Sequence, residues 1–184
     1  MIFKPYQFSN PRGIYFISFA TVYWIDVFTR IHYRTIFLDS LSFCQQHKGL
    51  RLHAWCLMSN HVHLIISTEE GFNLSHTLRD LKRHTATTLI EAIKEDPESR
   101  KEWMLWMFQR AAHHNKRNDD YQFWQQDNHA EELITPRFTQ QKLNYLHQNP
   151  VVAGWVDAPE HFLYSSARDY TGFGKGLLDI LFLF

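Results

Sequence analysis

Met58-Ser59-Asn60-His61-Val62-His63-Leu64-Ile65-Ile66 sets two histidines, two residues apart, at the head of an apolar run. Successive side chains of a β-strand point to opposite faces. A strand here therefore puts His61 and His63 on one face and Val62 and Leu64 on the other. Two imidazoles side by side on rigid backbone are either half of a metal site or a pair of hydrogen-bonded strand histidines. Ser59-Asn60 is turn chemistry, and residues 52–57 before it are largely apolar. The stretch thus reads as a hairpin of two strands, 52–57 and 62–67.

Working outward, residues 13–21 are rich in β-branched and aromatic side chains and read as a first strand. Residues 31–47 read as a helix, with Tyr33, Ile36, Phe37, Leu41 and Cys44 near helical spacing and Gly49 as terminator. A second helix spans about residues 74–93 on the stripe Leu74, Leu78, Leu81, Leu89 and Ile93 and ends at Asp96-Pro97-Glu98. Residues 103–108 fit a short helix or a strand, residues 113–120 form a polar loop, and residues 121–126 begin a last strand. A final helix covers residues 139–149 and ends at Pro150, because proline disfavours helix geometry in the residue before it. This order predicts an α+β, ferredoxin-like sandwich, an antiparallel sheet with helices packed on it. One domain is expected over residues 1–172, with 173–184 as an apolar tail that docks on the body or reflects an altered reading frame.

The final helix carries a second chemical signal. Tyr145 and Asn149 are four apart and share a helix face, while His147 points elsewhere. A tyrosine hydroxyl is a nucleophile and an amide oxygen a metal ligand. The alternative is a half-buried tyrosine and a capping asparagine.

Composition sets the bounds. The 45% hydrophobic and 21% charged content is that of an ordinary globular domain, and 184 residues suffice for one real core. Lys and Arg balance Asp and Glu at 19 each, so the net charge is zero. That argues against a general nucleic-acid coat, which depends on neutralising phosphates, but not against an enzyme with a local basic face. Cys44 and Cys56 show neither metal nor disulfide spacing and fit buried apolar roles in a reducing compartment. No run reaches membrane length, and the N-terminus lacks a signal-peptide core. Of the abundant aromatics, Trp103, Trp106 and Trp124 are candidates either for core packing or for stacking on unpaired bases.

His61-Val62-His63 on a strand followed by Tyr145…Asn149-Pro150 on a helix resembles the single-tyrosine HUH transposases, and among them the REP-associated tyrosine transposase branch. The likeness extends through Leu78-Arg79-Asp80-Leu81-Lys82-Arg83, and through Ala153-Gly154-Trp155-Val156 followed by Tyr164-Ser165-Ser166-Ala167. It covers about residues 12–170. The resemblance implies the ferredoxin-like fold, with His61, His63 and Asn149 as ligands of Mg²⁺ or Mn²⁺ and Tyr145 as the nucleophile. It implies cutting of single-stranded DNA beside a hairpin or palindrome through a 5′-phosphotyrosine. His76, Arg79, Lys82 and Arg83 on the second helix become candidate DNA contacts, or else a solvated charged face. Lys116 and Arg117 are weaker candidates, and Asp127 and His129 are candidate partners of a ligand histidine. His53 is a sheet histidine that either approaches the metal or is satisfied within the fold. Relatives include monomers and dimers that exchange the tyrosine helix, so a homodimer is open. A cytoplasmic, nucleoid-associated setting follows. Three further readings stay open: a hairpin-DNA-binding module of the same fold that does not cut, an interaction protein, and a metal-dependent hydrolase of small molecules.

Overall fold

The computed structural model describes residues 8–113, 120–126 and 129–184. Four strands form one antiparallel sheet in the order β2-β3-β1-β4, with β1 Tyr15–Ala20, β2 Leu50–Leu57, β3 His61–Thr68 and β4 His129–Glu132. The helices are α1 Ile31–His47, α2 Leu74–Glu95, α3 Lys101–His113, α4 Pro136–Val152 and the short α5 Ala167–Thr171. This is the ferredoxin-like α+β arrangement, with one helix, α3, added between α2 and β4.

Alternation along the two central strands divides the core. Tyr15, Ile17 and Phe19 of β1 and Val62, Leu64 and Ile66 of β3 pack with α1, α2 and α3 through Phe37, Leu41, Leu78, Leu81 and Phe108. Phe16 of β1 and Ile65 of β3 face the other way and pack with Leu143 and Leu146 of α4. Each fully buried side chain of this size stabilises by roughly 1.5–3 kcal/mol, so both faces are firmly covered. All five apolar positions of the expected α2 stripe are buried. Cys44 and Cys56 are buried and free, with burial pushing their thiols up to about 11 and about 12.

Two elements depart from the sequence reading. Residues 121–126 do not start a strand. Phe123 and Trp124 are consecutive yet both buried in the same core, which strand alternation forbids, and only a single bridge joins Thr21 to Trp124. The fourth strand starts later, at His129. The last helix begins earlier and ends later than residues 139–149. Thr135 caps it by accepting from the Phe138 N–H, and Pro136 occupies its first turn. Pro150 lies inside the helix but only one turn from its end, where its missing N–H removes a single bond. The chain closes with Ala153 N–H donating to the Asn149 carbonyl and Trp155 N–H to that of Pro150, both at 2.9 Å. Gly154, at φ +72°, makes the left-handed exit. Asn149 is therefore an interior helix residue, and its offset from Tyr145 is fixed.

The tail docks on the body. Leu181 N–H donates to the Leu52 carbonyl at 2.8 Å, and Leu178 enters the core. Further along the same strand Leu57 N–H donates to the Tyr164 carbonyl and Ser166 N–H to the Trp55 carbonyl. These contacts cover the outer edge of β2, which would otherwise present unpaired backbone groups.

Candidate active site

On the α4 face of the sheet the apolar packing gives way to polar side chains at the turn end of β3. His61 is half-buried and His63 buried. Their rings are 4.8 Å apart, nearly perpendicular. Burial pushes both imidazoles below their ordinary pKa. His63 falls to about 3 because the His61 ring and the Lys142 ammonium add to desolvation. Both rings are therefore neutral at physiological pH, the form that binds a metal.

The ring orientation follows from the neighbours. The Asn60 amide nitrogen donates to the Trp24 carbonyl at 3.2 Å and to Asp26 Oδ1 at 3.0 Å. Its oxygen is thereby turned toward His61 Nδ1, 2.7 Å away, which must donate. A neutral ring that donates through Nδ1 has a bare lone pair on Nε2. For His63, Nδ1 meets Ser18 Oγ at 2.5 Å, and Nε2 accepts from the Asn149 amide nitrogen at 3.1 Å. Ser18 reaches this ring because Ser18 and His63 are direct partners in the β1–β3 register.

Asn149 stands over both rings. Its Oδ1 is 3.3 Å from His61 Nε2. In the neutral ring no proton lies between these two acceptors, so lone pair faces lone pair. Two imidazole nitrogens and an amide group on neighbouring side chains make a donor set of mixed N and O type, which Mn²⁺ matches better than the harder, oxygen-preferring Mg²⁺ and which Zn²⁺ also accepts. Among the described residues no three His, Cys, Asp or Glu side chains gather as a metal site. The amide would therefore be the third protein ligand, and a carboxylate-free set binds a bare cation weakly.

Tyr145 lies beside this group. Its ring centroid is 5.3 Å from that of His63 and 5.9 Å from that of Phe16, edge-on to both, and the residue is 53% exposed. One helical turn earlier, the Lys142 ammonium sits 4.7 Å from the centre of the Phe16 ring and 2.5 Å from Glu131 Oε1. Because α4 packs on its own sheet, the whole constellation is built within one chain.

The other expected residues lie elsewhere. His76, Arg79 and Arg83 are exposed on the outer face of α2, across the sheet from the histidines, and Arg79 is paired with Asp80 at 2.9 Å. Lys82 turns inward. Its ammonium donates to the Gln125 carbonyl and sits over Phe19, and burial lowers its pKa to about 7. His53 is at the far end of the hairpin, bonded to the Leu181 carbonyl and Ser67 Oγ, and His147 is buried against Ser166 Oγ. Trp124 is core, whereas Trp103 and Trp106 are exposed on α3. Lys116, Arg117, Asp127 and the His129 side chain lie outside the described residues.

Ser18, Asn60, Lys142 and Trp24, whose ring is 5.6 Å from that of His61, were not singled out by the sequence reading. Cross-strand register could have found Ser18, and helix spacing from Tyr145 could have found Lys142. Asn60 is marked only as a turn residue, and nothing in the sequence pattern marks Trp24.

The fold matches that of a REP-associated tyrosine transposase solved with a REP hairpin, at a TM-score of 0.65 and 14% identity, over 96% of this chain and 94% of that one. A candidate transposase from Deinococcus radiodurans aligns at a TM-score of 0.44 and 17% identity, over 83% of this chain and 95% of that one. No curated protein matches significantly. The IS200-like transposase family profile matches residues 12–111, which include the His61–His63 strand and end before α4. With more than half of its length matched in this way, the chain belongs to the IS200-like transposase family.

Proposed function

We propose that the protein is a metal-dependent transposase of the REP-associated kind, which nicks and rejoins single-stranded DNA beside a hairpin or palindrome. The observation that carries this reading is the meeting of His61 Nε2, His63 Nε2 and the Asn149 side-chain amide next to the exposed Tyr145. Family membership supports the reaction class. The fold neighbour's REP hairpin suggests the substrate class.

His61, His63 and Asn149 would hold Mg²⁺ or Mn²⁺. There the ion would supply positive charge against the scissile phosphate. The Tyr145 oxygen attacks phosphorus, the bond to the 3′ oxygen breaks, and the phenolic proton passes to solvent, to which the ring is open. The 3′ oxygen takes up a proton and leaves as a hydroxyl. The other strand end stays on Tyr145 as a 5′-phosphotyrosine. One phosphodiester replaces another, so a 3′ hydroxyl can reverse the step without ATP. A neutral phenol is a weak nucleophile, so positive charge at the phosphate would be needed to draw the oxygen in. Ser18 and Asn60 fix the two imidazole tautomers so that both Nε2 atoms face inward.

Tyr145 acts on the histidines of its own chain in this proposal, and a homodimer is not required for a complete site. The test is cleavage of hairpin-bearing single strands with Mn²⁺ or Mg²⁺. His61→Ala/His63→Ala should lose all metal-dependent cleavage while still binding the hairpin. Cleavage that persists in that variant, or that runs at full rate in a chelator, would count against the site. Hairpin binding by the native chain with no cleavage at all would favour a non-cutting module.

A further inference from the structure

Tyr23 and Trp24 are the two non-glycine residues with positive φ among the described residues, at 54° and 55°. The left-handed region is disfavoured for bulky side chains, and such strain collects at functional sites. Both rings are exposed, Tyr23 at 47% and Trp24 at 56%, whereas Val22 and Ile25 on either side are buried. The loop is therefore not a loose one. Val22 N–H donates to the Phe123 carbonyl and Thr21 Oγ to the Ile25 carbonyl, both at 2.8 Å. Fastened at both ends, the chain takes a strained turn whose result is to hold two neighbouring aromatic rings toward solvent.

Trp24 stands at the candidate active site, and Tyr23 precedes it in the chain. Trp24 lies edge-on to His61, and the Asn60 side chain that holds the Trp24 carbonyl also sets the His61 tautomer. We infer that Tyr23 and Trp24 form a stacking platform for an unpaired nucleobase next to the scissile phosphate at the His61–His63 site. Every base has a π-face, so such a platform tolerates sequence and suits single strands. A paired base is stacked on its neighbours and cannot use it, so the platform selects DNA that is unpaired at the cut. The inference rests on the nicking reading only for the path of the strand past His61.

The test uses a pool of hairpin-bearing single strands with 5-iododeoxyuridine in their unpaired flanks, incubated with the full chain and Mn²⁺. One half is run directly on a denaturing gel, and the other is irradiated and its cross-linked peptides mapped by mass spectrometry. Cross-links at Tyr23 or Trp24 are expected. Cross-links only elsewhere, or none, overturn the platform. The unirradiated half reports the Tyr145 adduct separately, so a failed platform and a failed nicking reading are told apart. In binding assays Trp24→Ala should lose about tenfold in affinity for flanked hairpins, the worth of one stacked base, and nothing for hairpins without a flank. Trp24→Phe should keep most of the affinity. Trp24→Gly, which relieves the left-handed strain, should unfold no earlier than the parent protein while binding flanked hairpins as poorly as Trp24→Ala. Equal loss on hairpins with and without a flank would overturn the assignment.

Discussion

Val62, Leu64 and Ile66 of β3 are completely buried under α1 and α2, whereas His61 and His63 of the same strand meet an amide, a serine and an exposed tyrosine. One face of the sheet is closed by side chains that need no partner but each other. The other is closed by Leu143 and Leu146 of α4 and then, within one helical turn, opens into polar groups that the surrounding fold holds in fixed orientation. The contrast shows how a single strand carries a packed core on one face and a polar cluster on the other. Two-residue alternation lets the rigid core of one face fix the geometry of the other.

The sharpest test of this division is Tyr145→Phe. It should remove the covalent DNA adduct entirely, yet shift stability by no more than about 0.5 kcal/mol in urea unfolding, because the ring is half exposed. Leu64→Ala, one residue beyond His63, should do the opposite. It should cost about 2–5 kcal/mol, with adduct formation per folded molecule unchanged. A variant on one face that produced the other face's effect would break the comparison.

Acid should strain the α4 side next. Burial holds His147 near pKa 4, against about 6.5 in an unfolded chain. Between these values the unfolded chain binds a proton that the folded one refuses, so stability rises with pH. The contribution is complete above about pH 6.5 and is lost as pH falls toward 4, by an amount on the order of 3 kcal/mol. Urea midpoints measured across this range should slope downward with acid, and His147→Gln should flatten the slope by about one proton.

The smallest effect is expected on the outer face of α2. Arg79→Ala/Arg83→Ala should leave stability within about 0.5 kcal/mol and leave adduct formation on a short oligonucleotide unchanged. Those side chains project from the layer across the sheet from the histidines. If they touch a longer DNA, its binding should show a shallower salt dependence in the variant. Slower reaction on the short substrate would mean that the two faces are coupled.

What the sequence disclosed follows from the same physics. The α2 stripe from Leu74 to Ile93 and the shared face of His61 and His63 are local periodicities, and they read correctly. So did the i,i+4 pairing of Tyr145 and Asn149. Pro150 misled because a proline one turn from a helix end costs a single bond, which α4 absorbs. Residues 121–126 misled because Phe123 and Trp124 suit strands by type but enter the core side by side. The groups that orient the histidines were hidden for a different reason. Ser18 reaches His63 through strand register, and Asn60, next to His61 in the chain, is oriented by Trp24 and Asp26 through a loop closure, so neither leaves a period in the sequence.

The measurement that bears most directly on the account is covalent trapping. Protein, hairpin-bearing single strands and Mn²⁺ or Mg²⁺ would be resolved on a denaturing gel and the adduct digested to find the modified residue. An equal mixture of Tyr145→Phe and His61→Ala/His63→Ala chains would be run beside the native protein. The account predicts a metal-dependent adduct on Tyr145 of the native chain and none in the mixture, since each chain completes its own site. An adduct on another residue would contradict the proposed nucleophile. An adduct restored in the mixture would contradict the single-chain site.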